Sequence, residues 1–263
     1  MLVEQVWTGN AGRNFNYLLA CEETGEALAI DPLDHEKCLA AARAKGWTIR
    51  QLLNTHEHRD HTGGNEPMIA ATGASLLAHE KAKDTIRGID RGLKAGDVIT
   101  VGRTVELLCL DTPGHTMSHI CLLSKSERPA LFCGDTLFNA GAGNCHNGGR
   151  SEALYNTFAQ QLAKLPGETL VYPGHDYIAR NLAFTLDREP GNAKARNLLS
   201  EVERQDPAQA LVTTLALERE INTFFRVSSP SVIARLREAF PDLPPEPDPK
   251  TVFLILRELR NRW

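Results

Sequence analysis

Thr55-His56-Glu57-His58-Arg59-Asp60-His61 follows directly on the predicted strand Ile49–Asn54, and its reading decides the fold. Residues 56, 58, 60 and 61 can all ligate a metal. In extended backbone, side chains two apart face the same way, so His56 and His58 can grip one ion. Where the chain then turns into a helix, Asp60 and His61 can reach a neighbouring position. Imidazole and carboxylate together suit zinc, iron or manganese, and two ions need more ligands than this loop holds.

The remaining donors lie further along, each at the end of an apolar stretch. Thr112-Pro113-Gly114-His115 follows Glu-Leu-Leu-Cys-Leu-Asp, Cys133-Gly134-Asp135-Thr136 closes Ala-Leu-Phe-Cys, and Pro173-Gly174-His175 follows Thr-Leu-Val-Tyr. A glycine before His115, Asp135 and His175 lets the backbone turn tightly beside the site. One loop histidine usually does no more than hydrogen-bond at a surface. HxHxDH followed by strand-GH, strand-GD and strand-GH, in that order, is poorly explained by chance, and loops converging from several strand ends make a rigid scaffold for a metal pair.

Working outward, Leu2–Trp7, Asn14–Cys21 and Glu26–Ile30 read as strands, and His35–Lys45 as a helix stopped by Gly46. Further strands are predicted at Ser75–Ala78, Val98–Val101, Thr104–Asp111, His119–Ser124, Ala130–Cys133 and Thr169–Tyr172. A helix is predicted over Ser151–Leu165. This is an α/β (α+β) pattern, expected to form a four-layer αββα sandwich with its chemistry at strand ends. From about residue 178 the chain turns helical, with candidates at Ala179–Arg188, Ala193–Gln205 and Pro230–Ala239. The proline-rich 241–249 should be a stiff connector. The last segment puts Val252, Ile255, Leu256 and Leu259 on one helical face. The expected division is a catalytic domain over 1–177 and a small helical domain over 178–263.

The 263 residues carry a formal charge of -4, which disfavours nucleic acid as a partner. No apolar run is long enough to span a membrane, and the N-terminus lacks the pattern of a signal peptide. The six cysteines form no CxxC pair and read as reduced, buried side chains. Together these point to a cytoplasmic enzyme, a monomer or small homo-oligomer, acting on a small molecule.

THxHxDHxGGN, TPGHT, GDTLF and GHxY followed by NLxFxxxxEPGN resemble the metallo-β-lactamase superfamily, and within it the glyoxalase II (hydroxyacylglutathione hydrolase) family, along essentially the whole chain. The resemblance implies that His56, His58 and His115 hold one metal, that Asp60, His61 and His175 hold a second, and that Asp135 bridges. Two divalent ions, zinc first with iron or manganese as alternatives, would activate water for attack on a thioester such as S-D-lactoylglutathione, with Asp60 also orienting the nucleophile. A thiolate leaves without much protonation, and the motif loops offer no dedicated general acid. Asp31 resembles an aspartate with which the family braces the metal loop, and His119 is expected just outside the ligands.

By the same resemblance Tyr177 contacts the glutathione backbone, and Arg257 and Arg260, three apart on the last helix, hold its glycine carboxylate. The loop after Asp135 departs from the pattern. Asn144 stands where the family has Lys or Arg, and His146 where it has an aromatic residue. An amide cannot supply a cation's charge, which leaves Arg150 as a candidate to reach in. Two other readings compete. One is a glutathione-persulfide dioxygenase with one iron, whose relatives stop soon after the GHDY-like motif. The other is a divergent hydrolase or binding protein that takes a ligand other than glutathione.

Overall fold

A computed structural model describes residues Met1–Trp263. Strands β1 (Leu2–Trp7), β2 (Phe15–Ala20) and β3 (Glu26–Ile30) form an antiparallel meander, and helix α1 (His35–Lys45) crosses back to β4 (Thr48–Leu53). The short α2 (Arg59–Thr62) and α3 (Asn65–Thr72) lead to β5 (Ser75–His79) and β6 (Arg91–Leu93). β3 to β6 run parallel, which completes a six-stranded sheet in the order β1-β2-β3-β4-β5-β6.

The second sheet contains β7 (Val98–Val101), β8 (Val105–Asp111), β9 (Ile120–Ser124), β10 (Ala130–Gly134) and, after α4 (Ser151–Gln160), β13 (Leu170–Pro173). A small ribbon, β11 (Leu137–Phe138) with β12 (Gly141–Ala142), precedes α4. β8 and β10 are each antiparallel to β9, and β13 is parallel to β10. β8, β10 and β13 therefore point the same way, and their C-terminal ends meet at one edge.

Alternation sorts the strand side chains into layers. On β2, Phe15, Tyr17 and Leu19 enter the core between the sheets, where they meet Leu107, Ile120 and Phe132. Leu18 and Ala20 face the other way, against Cys38 and Ala42 of α1 and Met68 of α3. On the far side, Leu131, Cys133 and Val171 pack under Leu154 and Phe158 of α4. These are the four expected layers. No helix is long and apolar enough to cross a membrane.

The helical segment contains α5 (Ile178–Arg188), α6 (Ala193–Val202), α7 (Leu215–Ile221), α8 (Pro230–Ala239) and α9 (Pro249–Arg262). It does not stand apart from the sandwich. Its two-residue strand β14 (Thr213–Thr214) pairs with β13 at the edge of the second sheet, and Val232, Phe253 and Leu256 share the core of α4. Two expectations change in detail. The helix predicted over 151–165 ends at Gln160 and resumes as a 3-10 turn over Leu162–Lys164, with Gln161 between them at φ -119°. The fully buried residues of α9 are Val252, Phe253, Leu256 and Arg257, with Ile255 and Leu259 at their margin.

Candidate active site

All seven residues singled out as metal ligands meet at the shared strand edge. His56, His58 and His115 form one group of donors, and Asp60, His61 and His175 form another. Asp135 lies between them. The loop after β4 is anchored from below by Asp31, whose Oδ1 accepts from the Thr55 amide at 2.8 Å and whose Oδ2 accepts from Thr55 Oγ1 at 2.7 Å. Asp31 adopts φ 47°, a left-handed conformation that few residues besides glycine, asparagine and aspartate enter.

The hydrogen bonds fix which nitrogen of each imidazole faces inward. A carbonyl can only accept, so His115 Nδ1 donates to Asn144 O (2.6 Å), His175 Nδ1 to Gly12 O (2.6 Å) and His58 Nε2 to Asn147 O (3.0 Å). His61 Nδ1 donates to Asp31 Oδ2 at 2.9 Å. Because the Thr55 hydroxyl proton already points at Asp31, Thr55 Oγ1 accepts from His56 Nδ1 at 3.0 Å. Every outer nitrogen thus carries a proton, and in the neutral ring the inner one carries a lone pair.

Those inner nitrogens crowd together. His56 Nε2 and His58 Nδ1 are 3.1 Å apart, His58 Nδ1 and His115 Nε2 3.0 Å, and His61 Nε2 and His175 Nε2 3.2 Å. Asp135 Oδ2 lies 3.5 Å from His115 Nε2 and 3.3 Å from His175 Nε2, and Oδ1 lies 3.4 Å from His61 Nε2. Two ligands of one tetrahedral zinc sit about 3.3–3.4 Å apart, so the spacing is close to that of a filled coordination sphere. Asp135 Oδ1 is buried with no hydrogen-bond donor. Burial keeps His56 and His115 below the usual imidazole range. It also opposes charge on His61 and His175, but Asp135 outweighs it and draws both upward. The residues fit a pair of cations, since the electrostatic demand here is for positive charge.

A surrounding set of residues holds these donors. His119 Nε2 accepts from the Asp135 amide at 3.1 Å, and its Nδ1 is within 3.1 Å of the Thr112 and Thr136 hydroxyls, which places it just outside the ligands as expected. Gly134, at φ 45°, lets β10 approach so closely that a Cβ there would lie 2.5 Å from Thr55 Oγ1. Several contributors were missed from the sequence. Asn14 Nδ2 donates to Asp60 O at 3.1 Å and to its Oδ2 at 3.3 Å. Glu57 accepts from Thr116 and Ser118, which follow directly on His115. Only the position of Glu57, inside the HxHxDH run, could have drawn attention to it.

Beside the metal donors, Asn144, His146, Tyr177, Arg257 and Arg260 line one pocket of about 270 Å³. Tyr177 stacks on His175 with centroids 4.9 Å apart and donates to Gly12 O at 3.1 Å, which joins the pocket to the centre. Arg257 is buried, with Nη1 donating to Ala142 O (2.6 Å) and Gly143 O (3.0 Å). Arg150, the residue considered for the missing charge, does not line the pocket, because it is held at the start of α4 by a bond from its amide to Gly114 O. Arg180 does line it.

Residues 17–175 match the family described as the metallo-beta-lactamase superfamily, and residues 176–263 match the hydroxyacylglutathione hydrolase C-terminus. A hydroxyacylglutathione hydrolase of Polaromonas sp. is 73% identical over 263 residues, and one of Nitrosococcus oceani is 69% identical over 263, both matches covering 100% of each chain. Among solved structures, ETHE1 from Myxococcus xanthus superposes with a TM-score of 0.68 at 25% identity, covering 99% of this chain and 98% of that one.

Proposed function

The chain belongs to the metallo-β-lactamase superfamily and, along its whole length, to the hydroxyacylglutathione hydrolases, and from that membership we propose that it cleaves S-2-hydroxyacylglutathione, S-D-lactoylglutathione first, into glutathione and a 2-hydroxy acid. It is a thioester hydrolase. What carries the reading is the tautomer pattern: five imidazoles turn their lone pairs inward because carbonyl, carboxylate and hydroxyl acceptors hold their outer N–H groups.

In this reading His56, His58 and His115 would hold one ion, Asp60, His61 and His175 would hold the other, and Asp135 would serve both. Zinc is our first choice, with iron or manganese accepted by the same donors. When bound, such ions supply Lewis acidity that polarises a carbonyl and lowers the pKa of water from about 16 to about 7. The protein's own part is positioning. Asp60, anchored by Asn14 and half exposed, orients the attacking water. Tyr177, Arg260 and the 144–146 loop hold the thiol half so that its carbonyl carbon faces the centre. A C–O bond forms, the C–S bond breaks, and the sulfur leaves as thiolate, which requires no proton donor. The cytoplasm, a reducing compartment, suits the six unpaired cysteines.

A dioxygenase using one iron, two histidines and an aspartate would leave most of these donors without a role. The test is steady-state hydrolysis of S-D-lactoylglutathione by metal-replete protein, followed as free thiol. We expect turnover without oxygen uptake. Silence on glutathione thioesters with activity on other thioesters would reject the named substrate, and oxygen uptake with one bound iron would reject the hydrolase.

A further inference from the structure

The pocket beside Tyr177 contains three guanidinium groups, Arg180, Arg257 and Arg260, and no acidic residue lines it. Some arginines elsewhere in the helical segment pair with acids, as Arg226 does with Glu189 and Arg235 with Glu238. Here the charges face one another instead. Burial lowers Arg260 to about 10, with the nearby charge of Arg180 adding to the effect, and burial also lowers Arg257 to about 10, with Arg260 adding there. A cluster of like charges, partly removed from water and with no acidic side chain lining the pocket, favours an anion.

The three arginines differ in what they have left to offer. Arg257 is 3% exposed and commits Nη1 to Ala142 O and Gly143 O and Nε to Asn261 Oδ1. It is a strut for the loop whose next carbonyl, Asn144 O, holds His115. Arg260 commits one Nη2 bond to Asn181 Oδ1 at 3.0 Å. Arg180 is exposed, stands one helical turn after Tyr177, and makes a single bond, from Nη2 to a carboxyl oxygen of Trp263, the last residue, at 3.2 Å, which leaves its other donors free. Among the other lining residues, position 144 presents an amide and no charge. The freest fork therefore belongs to a residue that the sequence motifs did not mark.

We infer that Arg180 is a specificity-determining residue that, with Arg260, grips the glycyl carboxylate of the substrate's thiol half, while Arg257 holds the loop and not the ligand. The inference rests on the glutathione-thioester reading above. Of glutathione's two carboxylates, the γ-glutamyl one sits beside an ammonium, which three arginines without an acid would repel. The glycyl carboxylate carries no such neighbour and fits a guanidinium fork.

The experiment compares S-D-lactoylglutathione with its glycyl ethyl ester on wild type, Arg180→Ala and Arg180→Ala/Asn144→Lys. For Arg180→Ala on the acid we expect KM to rise about tenfold, as loss of one charge-assisted contact implies, with kcat changed less than about threefold. On the ester, wild type and Arg180→Ala should agree within about twofold. The double variant should regain most of the lost KM, because a cation returns to the pocket lining at position 144. An unchanged KM for Arg180→Ala, or an equal loss on acid and ester, overturns the inference while leaving the hydrolase reading intact. A wild type silent on both substrates removes both readings together. Arg180 is exposed, so the melting temperature of Arg180→Ala should stay near wild type, and a large drop would recast the residue as structural.

Discussion

The metal centre and the arginine pocket lie side by side and share Tyr177 as their wall, yet they use charged and polar groups in opposite ways. At the centre each of the five imidazoles has an assigned outer partner, so each has one orientation and one tautomer. In the pocket, like charges gather with no acidic side chain among the lining residues, and only one of three arginines is committed to the protein by several bonds. The first region is pre-arranged for cations and the second for an anion. Residues of one type within a few ångströms can therefore be scaffold or receptor, and the count of remaining donors tells them apart.

The sharpest break in this contrast is expected at Asp135, the one carboxylate within reach of both histidine groups. Asp135→Ala should lose bound metal and lower kcat/KM on the order of a thousandfold or more, measured by metal analysis beside kinetics. Wild-type turnover in that variant would mean that Asp135 does not serve both ions.

A smaller loss is expected one step out. Thr55→Val removes the acceptor of His56 Nδ1 and the donor to Asp31, and should weaken metal affinity about 10–100-fold, the usual cost of removing a partner behind a ligand. A competitive chelator titration reads this directly, and unchanged affinity would show that the His56 tautomer is fixed by something else.

In the pocket the signature should differ. Arg257→Met leaves the Ala142 and Gly143 carbonyls without their donor, at about 1–3 kcal/mol for each buried group left unpaired. We expect a melting temperature lower by several degrees, whereas Arg260→Ala should mainly raise KM. If Arg257→Met melted like wild type and only KM rose, Arg257 would belong with the receptor groups.

The smallest expected effect lies away from both regions. Burial alone would raise Glu189, but hydrogen bonds from Arg226, Ser231, Asn192 and Ser229 outweigh it and lower the carboxyl to about 2. Its folded value lies below its unfolded one, so its contribution is present above about pH 4.5 and is lost as pH falls toward 2. Melting curves across that window should show a shallower acid loss in Glu189→Gln, and identical slopes would remove Glu189 from the linkage.

The same contrast explains what the sequence revealed. The metal donors were legible because their types and spacing, from His56 to His175, are tied to strand ends. Asp31 could be named on the resemblance and His119 from its place at a strand entrance, and their partners then follow from the geometry. The outer acceptors were not legible, since Gly12, Asn144 and Asn147 act through main-chain carbonyls that any residue provides. Arg180 escaped notice because its meaning depends on which neighbouring arginines have donors left, and that is decided by packing. β14, two residues long, owes its existence to pairing with β13 and not to any local periodicity.

The central claim is that the inward-facing nitrogens are the ligands of a paired centre. A crystal structure of zinc-loaded protein with anomalous scattering tests it most directly. We expect two ions, one about 2.0–2.1 Å from His56 Nε2, His58 Nδ1 and His115 Nε2, the other at similar range from Asp60, His61 Nε2 and His175 Nε2, with Asp135 touching both. A single ion at full occupancy, or zinc bound through His58 Nε2 or His115 Nδ1, would contradict it.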